Sequence, residues 1–555
     1  MKRIILIFLS AVSLLANAQG RRSDTIQLRT PLDIPLLLSG NFGELRRNHF
    51  HSGVDFKTQG KTGLPVYAVD DGYVSRISVS PWGFGRAVYL THPATGLTTV
   101  YGHLEAFAPK IDKRVRDRQY ELETFTIDMT FEPGELPVSR GDIIARSGNA
   151  GSSGGPHLHF DVRDTATGEP LDPLEYYRKK VTDNMAPEVR LLAVYPVNGG
   201  VVEGNPVEGT YRQPQGNMTF TAWGDIVPGI KAYDRMNGTS NIYGVKYLTL
   251  LLDSDTIYRR VIDRYNFADT RAIHTIINNT DLVDNSSWIM TTRVADSNPL
   301  DYMISAKNNG VVNINEERPY SFTWILEDEH GNRSVKKFTV KGERKLSSAE
   351  VAKGQLMLWD ADNVYDDEDI YIEFPAGVLY DNKFIEVTAK ENPAYLSKVY
   401  SIGTPHIPLS GDISISMPLV TDTLADKNCY TLVRLNGTRR IAVPATYTDG
   451  FLNAKTNVLG DYAVTVDTTP PEIKLLSPRK GQPANVIKFK ITDNLAGVDT
   501  WRGEIDGKFA LFELDGKTST LSFKMDPSRF PGKQHKVKLT VNDGNGNTSV
   551  YEGKI

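Results

Sequence analysis

The sequence predicts a mainly β protein that is divided into several domains. Its 555 residues correspond to three or four domains at roughly 150 residues each. Short runs of β-branched and aromatic residues, such as 86–90, 247–252 and 536–541, alternate with Gly, Pro, Asn and Asp. Strand signals at this spacing favour sandwiches and barrels over helical folds. The best helix-like exception is the short stretch 347–358.

The composition excludes several classes of protein. Hydrophobic residues make up 40% and charged residues 23% of the chain, which is typical of a folded, water-soluble protein. The 63 Lys and Arg against 67 Asp and Glu give a net charge of −4, so nucleic acid is not expected as a main partner. Cys429 is the single cysteine, which excludes an intrachain disulfide and cysteine-rich metal sites. Any metal must therefore be bound by His, Asp and Glu.

The first residues predict export. A positive pair, Lys2-Arg3, precedes an apolar run at 4–15 and the small-residue pattern 16–18. This order is typical of a secretory signal peptide, here residues 1–18 with cleavage before Gln19, and the run is too short for a membrane span. A buried N-terminal helix is the alternative interpretation. No later segment approaches ~18 apolar residues in succession. We therefore expect an exported protein, periplasmic, cell-envelope or secreted, without a membrane span.

A repeat in the second half of the chain predicts the domain boundaries. Three matches in the same order indicate two copies of one β-sandwich, and the first copy contains insertions. The matching segments are 186–192 with 470–476, 234–253 with 493–506, and 328–335 with 543–550. The copies resemble bacterial immunoglobulin-like domains, whose last hairpin often carries an Asp-x-x-Gly-Asn turn. The predicted domains are 19–183, the first sandwich at 186–343, a β-rich domain at 346–467, and the last sandwich at 470–555.

The β-rich domain carries an acidic run at 360–369. Carboxylates at alternate positions suit calcium, but the run lacks the glycine and the closing glutamate of an EF-hand loop. A solvated acidic loop is the preferred interpretation.

Three small histidine clusters hold the residues most able to do chemistry. They contain His51 and Asp55, then His103, then His157 and His159, and six of the 10 histidines of the chain lie in its first 160 residues. A catalytic zinc takes three protein ligands and leaves a fourth position open. His51 and Asp55 flank a Ser-Gly turn, so one loop can direct both side chains at one ion. His157 and His159 alternate along a predicted strand and share a face, so one can bind metal while the other acts on water. His103 follows a strand-like segment and can supply a second acid or base group.

With these motifs in hand, residues 38–175, about a quarter of the chain, resemble the lysostaphin-type zinc metallopeptidases, which cleave cell-wall peptides. That family carries His-x-x-x-Asp, Tyr-x-His-Leu and His-x-His motifs in this order, and 138–160 matches its last segment almost throughout. The resemblance implies a compact antiparallel β-sheet core and one Zn²⁺ per chain. By this resemblance the zinc ligands are His51, Asp55 and His159, and the catalytic pair is His103 and His157.

Two features near the motifs need interpretation. His49 is a competing ligand candidate, but the family spacing selects His51 and leaves His49 at the rim of the groove that 41–46 helps to line. The segment 105–137 is longer than the family's usual link and could extend or cover the groove. Because the motifs end before the repeat begins, a fragment of residues 19–183 is expected to bind zinc alone.

The expected function is that of an exported zinc endopeptidase that hydrolyses stem or cross-bridge peptides of peptidoglycan. The alternatives are a non-catalytic protein of the same fold that binds cell wall or activates another hydrolase, and an exported protease that acts on proteins. In each case peptidoglycan peptides or envelope proteins are the expected partners, and the C-terminal β-domains are expected to position the enzyme or bind such proteins.

Overall fold

The structure is a computed structural model. It describes residues 25–215, 218–345, 352–367, 369–478 and 485–555. The predicted signal peptide and its cleavage site lie outside the described residues. The prediction of a mainly β fold is confirmed, because sheets account for most of the regular structure. Among the described residues, no helix combines the length and the apolar character that crossing a bilayer requires.

A nine-stranded antiparallel sheet forms the N-terminal region. Its central strand, His157–Asp164, pairs with Val54–Lys57 on one side and Leu97–Gly102 on the other. The strands in spatial order are Leu38–Gly40, Val54–Lys57, His157–Asp164, Leu97–Gly102, Arg86–His92, Gly72–Val79 and Ile127–Thr130, with Pro137–Val138 and Pro170–Leu171 at the edges. Smaller sheets and one short helix complete the region: Pro65–Tyr67 with Ile143–Arg146 and Ala106–Phe107, Leu45–Arg46 with His49–Phe50, and the helix Leu174–Tyr177.

The long segment 105–137 contains a helix that the strand-based analysis missed. Pro109–Leu122 is an α-helix that buries Ile111 and Val115 in the N-terminal core. The strand after it is Ile127–Thr130. The sequence does contain the signal, because apolar residues four apart share one face of a helix and proline favours the first turn.

The first sandwich, within 186–343, is built around one long strand. Thr219–Tyr233 pairs antiparallel with Glu188–Pro196 along its second half and parallel with Arg333–Gly342 along its first half. The strands are therefore joined into one 11-stranded sheet around a main core, and a smaller cluster that includes Tyr195 and Val227 lies beside it. The other strands are Val201–Val202, Thr210–Arg212, Tyr247–Leu252, Asp255–Val261, Met290–Thr291, Ile304–Ala306, Val312–Ile314 and Pro319–Glu327. The helical elements are the 3₁₀ segments Phe267–Thr275 and Lys307–Gly310 and the α-helix Asn279–Asn285.

The last two regions are two-sheet structures. Within 346–467 the two main sheets have five strands each, and within 470–555 they have four strands each. The strands of the third region are Gln355–Met357, Asn363–Asp366, Tyr371–Phe374, Lys383–Ile385, Val387–Lys390, Val399–Ile402, Pro408–Pro418, Tyr430–Asn436, Arg439–Val443, Ala445–Thr448, Phe451–Val458 and Gly460–Val466, with the 3₁₀ segment Lys427–Cys429. The strands of the last region are Glu472–Ser477, Val486–Thr492, Val498–Ile505, Lys508–Ala510, Glu513–Asp515, Thr520–Lys524, Lys536–Asp543 and Thr548–Lys554.

The prediction of a helix at 347–358 is wrong in the part of this stretch that the structure describes. Residues 352–358 form no helix, and Gln355–Met357 is a strand paired with Lys383–Ile385. Gly354, with a φ of 94°, precedes this strand in a conformation that a right-handed helix does not use. Tertiary pairing, which buries Met357 completely, outweighs the local helical pattern.

The N-terminal region and the first sandwich share a hydrophobic core. Phe42 and Phe50 belong to the core of the first sandwich, while Tyr243 of that sandwich packs into the N-terminal core. Two hydroxyls reinforce the contact, since the Tyr243 Oη donates to the carbonyl of Leu38 and the Tyr265 Oη donates to that of Phe50, both at 2.9 Å. Zinc binding by fragment 19–183 stays a prediction. In that fragment Phe42 and Phe50 would be exposed, because the sandwich that covers them is absent.

The last sandwich also packs on the N-terminal region. Arg86 pairs with Glu513 at 2.6 Å, and Glu123 pairs with Arg502 at 2.7 Å. The segment 105–137 contributes a further contact, because Tyr120 lies 3.8 Å beneath the guanidinium of Arg529. Segment 105–137 therefore connects the N-terminal region with the last sandwich.

We expect Tyr265→Phe to lower the free energy of unfolding by about 1–2 kcal/mol, because it leaves a buried acceptor unpaired at the shared core. Tyr258→Phe is the matched control: Tyr258 is equally buried, and its hydroxyl has no hydrogen-bond partner among the described residues. That variant should be neutral or slightly stabilised. Urea unfolding of both variants measures the difference, and equal stabilities would contradict the assigned role of the Tyr265 hydroxyl.

Candidate metal centre

Three buried side chains converge at one end of the central strand. Asp55 Oδ1 lies 3.1 Å from His51 Nε2 and 3.0 Å from His159 Nδ1, and these two nitrogens are 3.1 Å apart. A tetrahedral zinc site with bonds of ~2.0 Å has ligand atoms ~3.3 Å apart. The side chains are less than a tenth exposed. Their spacing, their N and O donor atoms and their burial therefore fit a zinc ion.

The outer nitrogens of both ligand histidines are already engaged. His51 Nδ1 lies 2.7 Å from the carbonyl oxygen of Asn41, and His159 Nε2 lies 2.6 Å from Asp161 Oδ1. A carbonyl or carboxylate oxygen only accepts, so each outer nitrogen carries a hydrogen. The inner nitrogens, His51 Nε2 and His159 Nδ1, are the atoms that can offer a lone pair to a metal once each ring is neutral.

Asp161 is a functional residue that the motif analysis missed. Its side chain is fully buried, accepts a hydrogen bond from Ser52 at 3.0 Å, and forms two hydrogen bonds with Arg163 at 3.0 and 2.5 Å. The strand alternation that places His157 and His159 on one face also places Asp161 there. The signal was therefore present in the sequence two residues after the second histidine.

The second oxygen of Asp55 is held by Arg46. The guanidinium lies 3.1 Å from Asp55 Oδ2 and 3.3 Å from Glu44 Oε1, so the predicted groove segment 41–46 contacts the ligand carboxylate. This bond leaves Oδ1 to face the histidines. Although burial favours the neutral acid, the surrounding imidazoles hold the pKa of Asp55 well below its usual range.

The two remaining predicted histidines face the ligand set from the open side. The rings of His103 and His157 lie 4.7 Å apart, and His157 Nε2 is 3.4 Å from Asp55 Oδ1. Their outer nitrogens are held by backbone carbonyls, since His103 Nδ1 donates to Ala150 and His157 Nδ1 donates to Gly155, both at 2.8 Å. In both rings Nε2 is therefore the nitrogen that remains available, and that of His157 faces Asp55. Burial, together with the neighbouring imidazoles, lowers the pKa of His103 to about 3.

A close loop contact places the acceptor of His103. Gly85 and Gly151 touch so closely that a Cβ on Gly151 would lie 2.3 Å from the Gly85 nitrogen, and both have positive φ. This approach sets the position of Ala150, whose carbonyl binds His103. His103 itself has a φ of 58°, a left-handed conformation that is uncommon outside glycine and that turns its ring into the site.

His49 lies outside the cluster. It is exposed on the short strand His49–Phe50, while its neighbour Phe50 packs into the first sandwich. The side chains brought together are therefore His51, Asp55, His103, His157 and His159.

Without a metal ion, His159 is the group that holds a proton. Burial opposes a charged ring, but the carboxylates of Asp161 and Asp55 outweigh it and raise the pKa of His159 to about 9. A proton on Nδ1 and a metal ion compete for the same lone pair.

Comparisons with known proteins match the part of the chain that carries these residues. Residues 49–120, which include the first two motifs, match Peptidase family M23, and residues 354–467 match the Zu5-like domain. This chain contains a lysostaphin-type M23 peptidase domain. The region before the first sandwich is therefore called the M23 domain below.

Curated relatives match the same part of the chain. An uncharacterized metalloprotease of Haemophilus influenzae is 31% identical over 164 residues, 28% of this chain and 29% of that protein. The DD-carboxypeptidase/endopeptidase Mpg of Neisseria meningitidis is 31% identical over 124 residues, 22% of each chain. The peptidoglycan DD-endopeptidase ShyA of Vibrio cholerae is 29% identical over 153 residues, 26% of this chain and 29% of that protein. Each match thus spans less than a third of the relative.

Solved structures match a similar share of the chain. The catalytic domain of the prophage-encoded M23 protein EnpA from Enterococcus faecalis is 25% identical, with 25% of this chain and 89% of that chain covered and a TM-score of 0.19. The catalytic domain of lysostaphin from Staphylococcus simulans is 23% identical, with 26% and 92% covered and a TM-score of 0.19.

We expect Asp161→Asn to weaken zinc binding about 10–100-fold, because the carboxylate that orients the His159 ring is lost. Asp128→Asn is the control, since Asp128 forms a similar two-bond pair with Arg76 on an exposed edge of the same sheet. Competition with a chromophoric chelator measures both affinities. An unchanged zinc affinity in Asp161→Asn would exclude the assigned role.

We also expect zinc affinity to rise with pH. Loss of the His159 proton by itself should give an increase of about tenfold per pH unit between pH 6 and 8. Below a pKa of about 9 the metal must displace this proton, and the penalty falls as the pH approaches that value. Chelator competition across this range measures the slope. The slope should flatten in Asp161→Asn, which lowers the pKa of His159, and a pH-independent affinity in the parent protein would refute the assignment.

Proposed function

We propose that the protein is an exported zinc endopeptidase that hydrolyses peptide bonds in the stem or cross-bridge peptides of peptidoglycan. One observation carries the proposal: three histidine rings, those of His51, His157 and His159, direct a nitrogen at Asp55 Oδ1, and the His103 ring lies 4.7 Å from that of His157. An oxygen outside the cluster holds the outer nitrogen of each of these four rings. Three features support one Zn²⁺ per chain: the nitrogen and oxygen donor atoms, the hydrogen bonds that hold the outer histidine nitrogens, and the similarity to Peptidase family M23. His51, Asp55 and His159 are the proposed ligands.

When bound, zinc supplies a Lewis acid that polarises the scissile carbonyl and lowers the pKa of the attacking water. His157 is the proposed proton acceptor, because its Nε2 reaches the proposed ligand set at 3.4 Å from Asp55 Oδ1 while its Nδ1 is held by the Gly155 carbonyl. His103 stays neutral because burial lowers its pKa, so its Nε2 accepts a hydrogen bond and orients the water. The sequence alone left this division of roles open.

The substrate is proposed from the named relatives, two of which carry endopeptidase names and one of which names peptidoglycan. Their names also support an exported protein whose location is periplasmic, cell-envelope or secreted. The non-catalytic alternative requires a missing ligand or catalytic histidine, whereas all five side chains are present here. The third candidate, a protease that acts on proteins, has the same centre and differs only in substrate.

The later domains are proposed to support the M23 domain, with domain boundaries at 183/186, 343/346 and 467/470. The first sandwich binds the segment that carries Phe50, and the last sandwich pairs with Arg86 near the centre. Binding of envelope proteins by these domains is a further proposal.

Incubation of the purified, zinc-loaded chain with peptidoglycan sacculi and with a denatured protein tests the proposed function. Mass spectrometry should find new amino termini in wall peptides and none in the protein substrate. Cleavage of the protein alone would favour the general protease, and cleavage of neither would favour the non-catalytic alternative.

Five alanine variants then separate ligands from catalytic groups. His51→Ala, Asp55→Ala and His159→Ala should lose zinc and activity together, because a three-ligand site cannot easily replace a lost bond. His103→Ala and His157→Ala should retain zinc while turnover falls ~10²–10⁴-fold. Metal analysis and cleavage rates on all five decide the roles. Zinc loss in His157→Ala with zinc retained in His159→Ala would reverse the assignment within that pair.

A further inference from the structure

Three aspartates meet at the joint between the M23 domain and the first sandwich. Asp183 lies on the connecting segment, Asp234 follows the long strand of the sandwich, and Asp328 begins the turn of its last hairpin. One carboxylate oxygen of each lies within 4.8 Å of the other two. This joint cluster is separate from the candidate metal centre.

Two of these carboxylates have oxygens that are buried without a hydrogen-bond partner. They are Asp183 Oδ2, on a side chain that is 1% exposed, and Asp234 Oδ1, on a residue that is 4% exposed. A buried charge without a partner is strongly unfavourable, so such oxygens require a ligand or a proton. Burial and the neighbouring carboxylates raise the pKa of Asp234 to about 8. The turn satisfies Asp328, but not these two oxygens.

No described Lys or Arg forms an ion pair with the joint cluster. The nearest candidate cation, Lys246, is bonded to Asp172, Glu175 and Glu329 instead. His330 Nδ1 lies 3.9 Å from Asp183 Oδ2, beyond hydrogen-bond distance, and its Nε2 donates to the Val181 carbonyl. The described side chains therefore offer the joint cluster no lysine or arginine as a counterion.

The cluster lines a small cavity. Its volume is about 10 Å³, roughly the room for one water-sized sphere. All three aspartates contribute to its wall. The cavity thus has space for a single atom-sized ligand and none for an organic anion or a peptide.

The last sandwich repeats the same arrangement at its own joint. Asp467, Asp493 and Asp543 occupy the equivalent positions, with oxygens again within 4.8 Å of one another. The surrounding bonds also correspond: Asn332 Nδ2 donates to the Asp183 carbonyl at 3.3 Å, and Asn547 Nδ2 donates to the Asp467 carbonyl at 3.1 Å. All three acidic positions therefore recur in the second copy, although most residues around them differ.

We propose that Asp183, Asp234 and Asp328 bind one calcium ion that fixes the first sandwich to the M23 domain. The cluster offers only oxygen atoms, which hard divalent cations prefer, and calcium tolerates irregular carboxylate geometry better than magnesium. The ion joins the connecting segment, the long strand and the hairpin turn, three elements that approach one another only in the folded chain. It thereby stabilises the sandwich that binds the segment preceding the zinc ligand His51.

Thermal unfolding of the full-length, zinc-loaded chain tests the site. Asp493→Asn is introduced first, so that the last sandwich contributes no equivalent calcium response. In this background millimolar calcium should raise the melting temperature by several degrees, because binding stabilises only the folded state. Asp234→Asn should abolish the rise while leaving the calcium-free melting temperature equal or higher, since it removes a carboxyl group whose buried oxygen has no hydrogen-bond partner. Asp366→Asn, in the exposed acidic run, is the control and should retain the rise.

Trypsin cleavage provides a local readout. The joint carries exposed basic residues at 178–180, directly before Asp183. Calcium at ten times its Kd should slow cleavage there about tenfold, because it reduces the open population by that factor. Absence of protection in the Asp493→Asn chain, protection that survives Asp234→Asn, or an equal melting shift with magnesium would each overturn the calcium assignment.

Discussion

The candidate metal centre depends on the register between two antiparallel strands. Where the central strand pairs with Val54–Lys57, His159 lies directly opposite Asp55. Where the same strand pairs with Leu97–Gly102, His159 lies opposite Gly102, the neighbour of His103. A slip of one residue would turn both histidines of the pair away from the carboxylate. The buried residues on the opposite face, Leu158 and Phe160, hold this register because they pack into the N-terminal core. The hydrophobic core thus determines where the metal ligands meet.

A second layer of contacts connects the centre to the rest of the chain. His159 bonds Asp161, Asp161 bonds Arg163, and the Arg163 guanidinium lies 4.6 Å from the Phe267 ring of the first sandwich. His51 is held by the Asn41 carbonyl, while the Asn41 side chain donates to Gly244 of the same sandwich at 2.9 Å. Both proposed ligand histidines are therefore oriented through residues that contact the first sandwich.

The domains that the sequence predicts are less separate in the folded structure than along the chain. Linear motifs place the M23 domain first and the sandwiches afterwards, but the cores exchange side chains such as Phe50 and Tyr243. The last sandwich also reaches the M23 domain through Arg86 and through the missed helix Pro109–Leu122. A repeat identifies units of sequence, whereas only packing shows which units share a core.

The sequence by itself determined the β class, the order of the motifs and the identity of the clustered side chains. These features are local. Alternation along a strand relates His157 to His159, and a short turn relates His51 to Asp55. Residue type alone shows which atoms can bind a metal. Tertiary structure decided the rest. The acceptors of His51, His103 and His157 are backbone carbonyls, which every residue carries and no motif distinguishes. Asp183 meets Asp234 only after the sandwich folds, since contacts between distant segments depend on packing that local residue patterns do not encode.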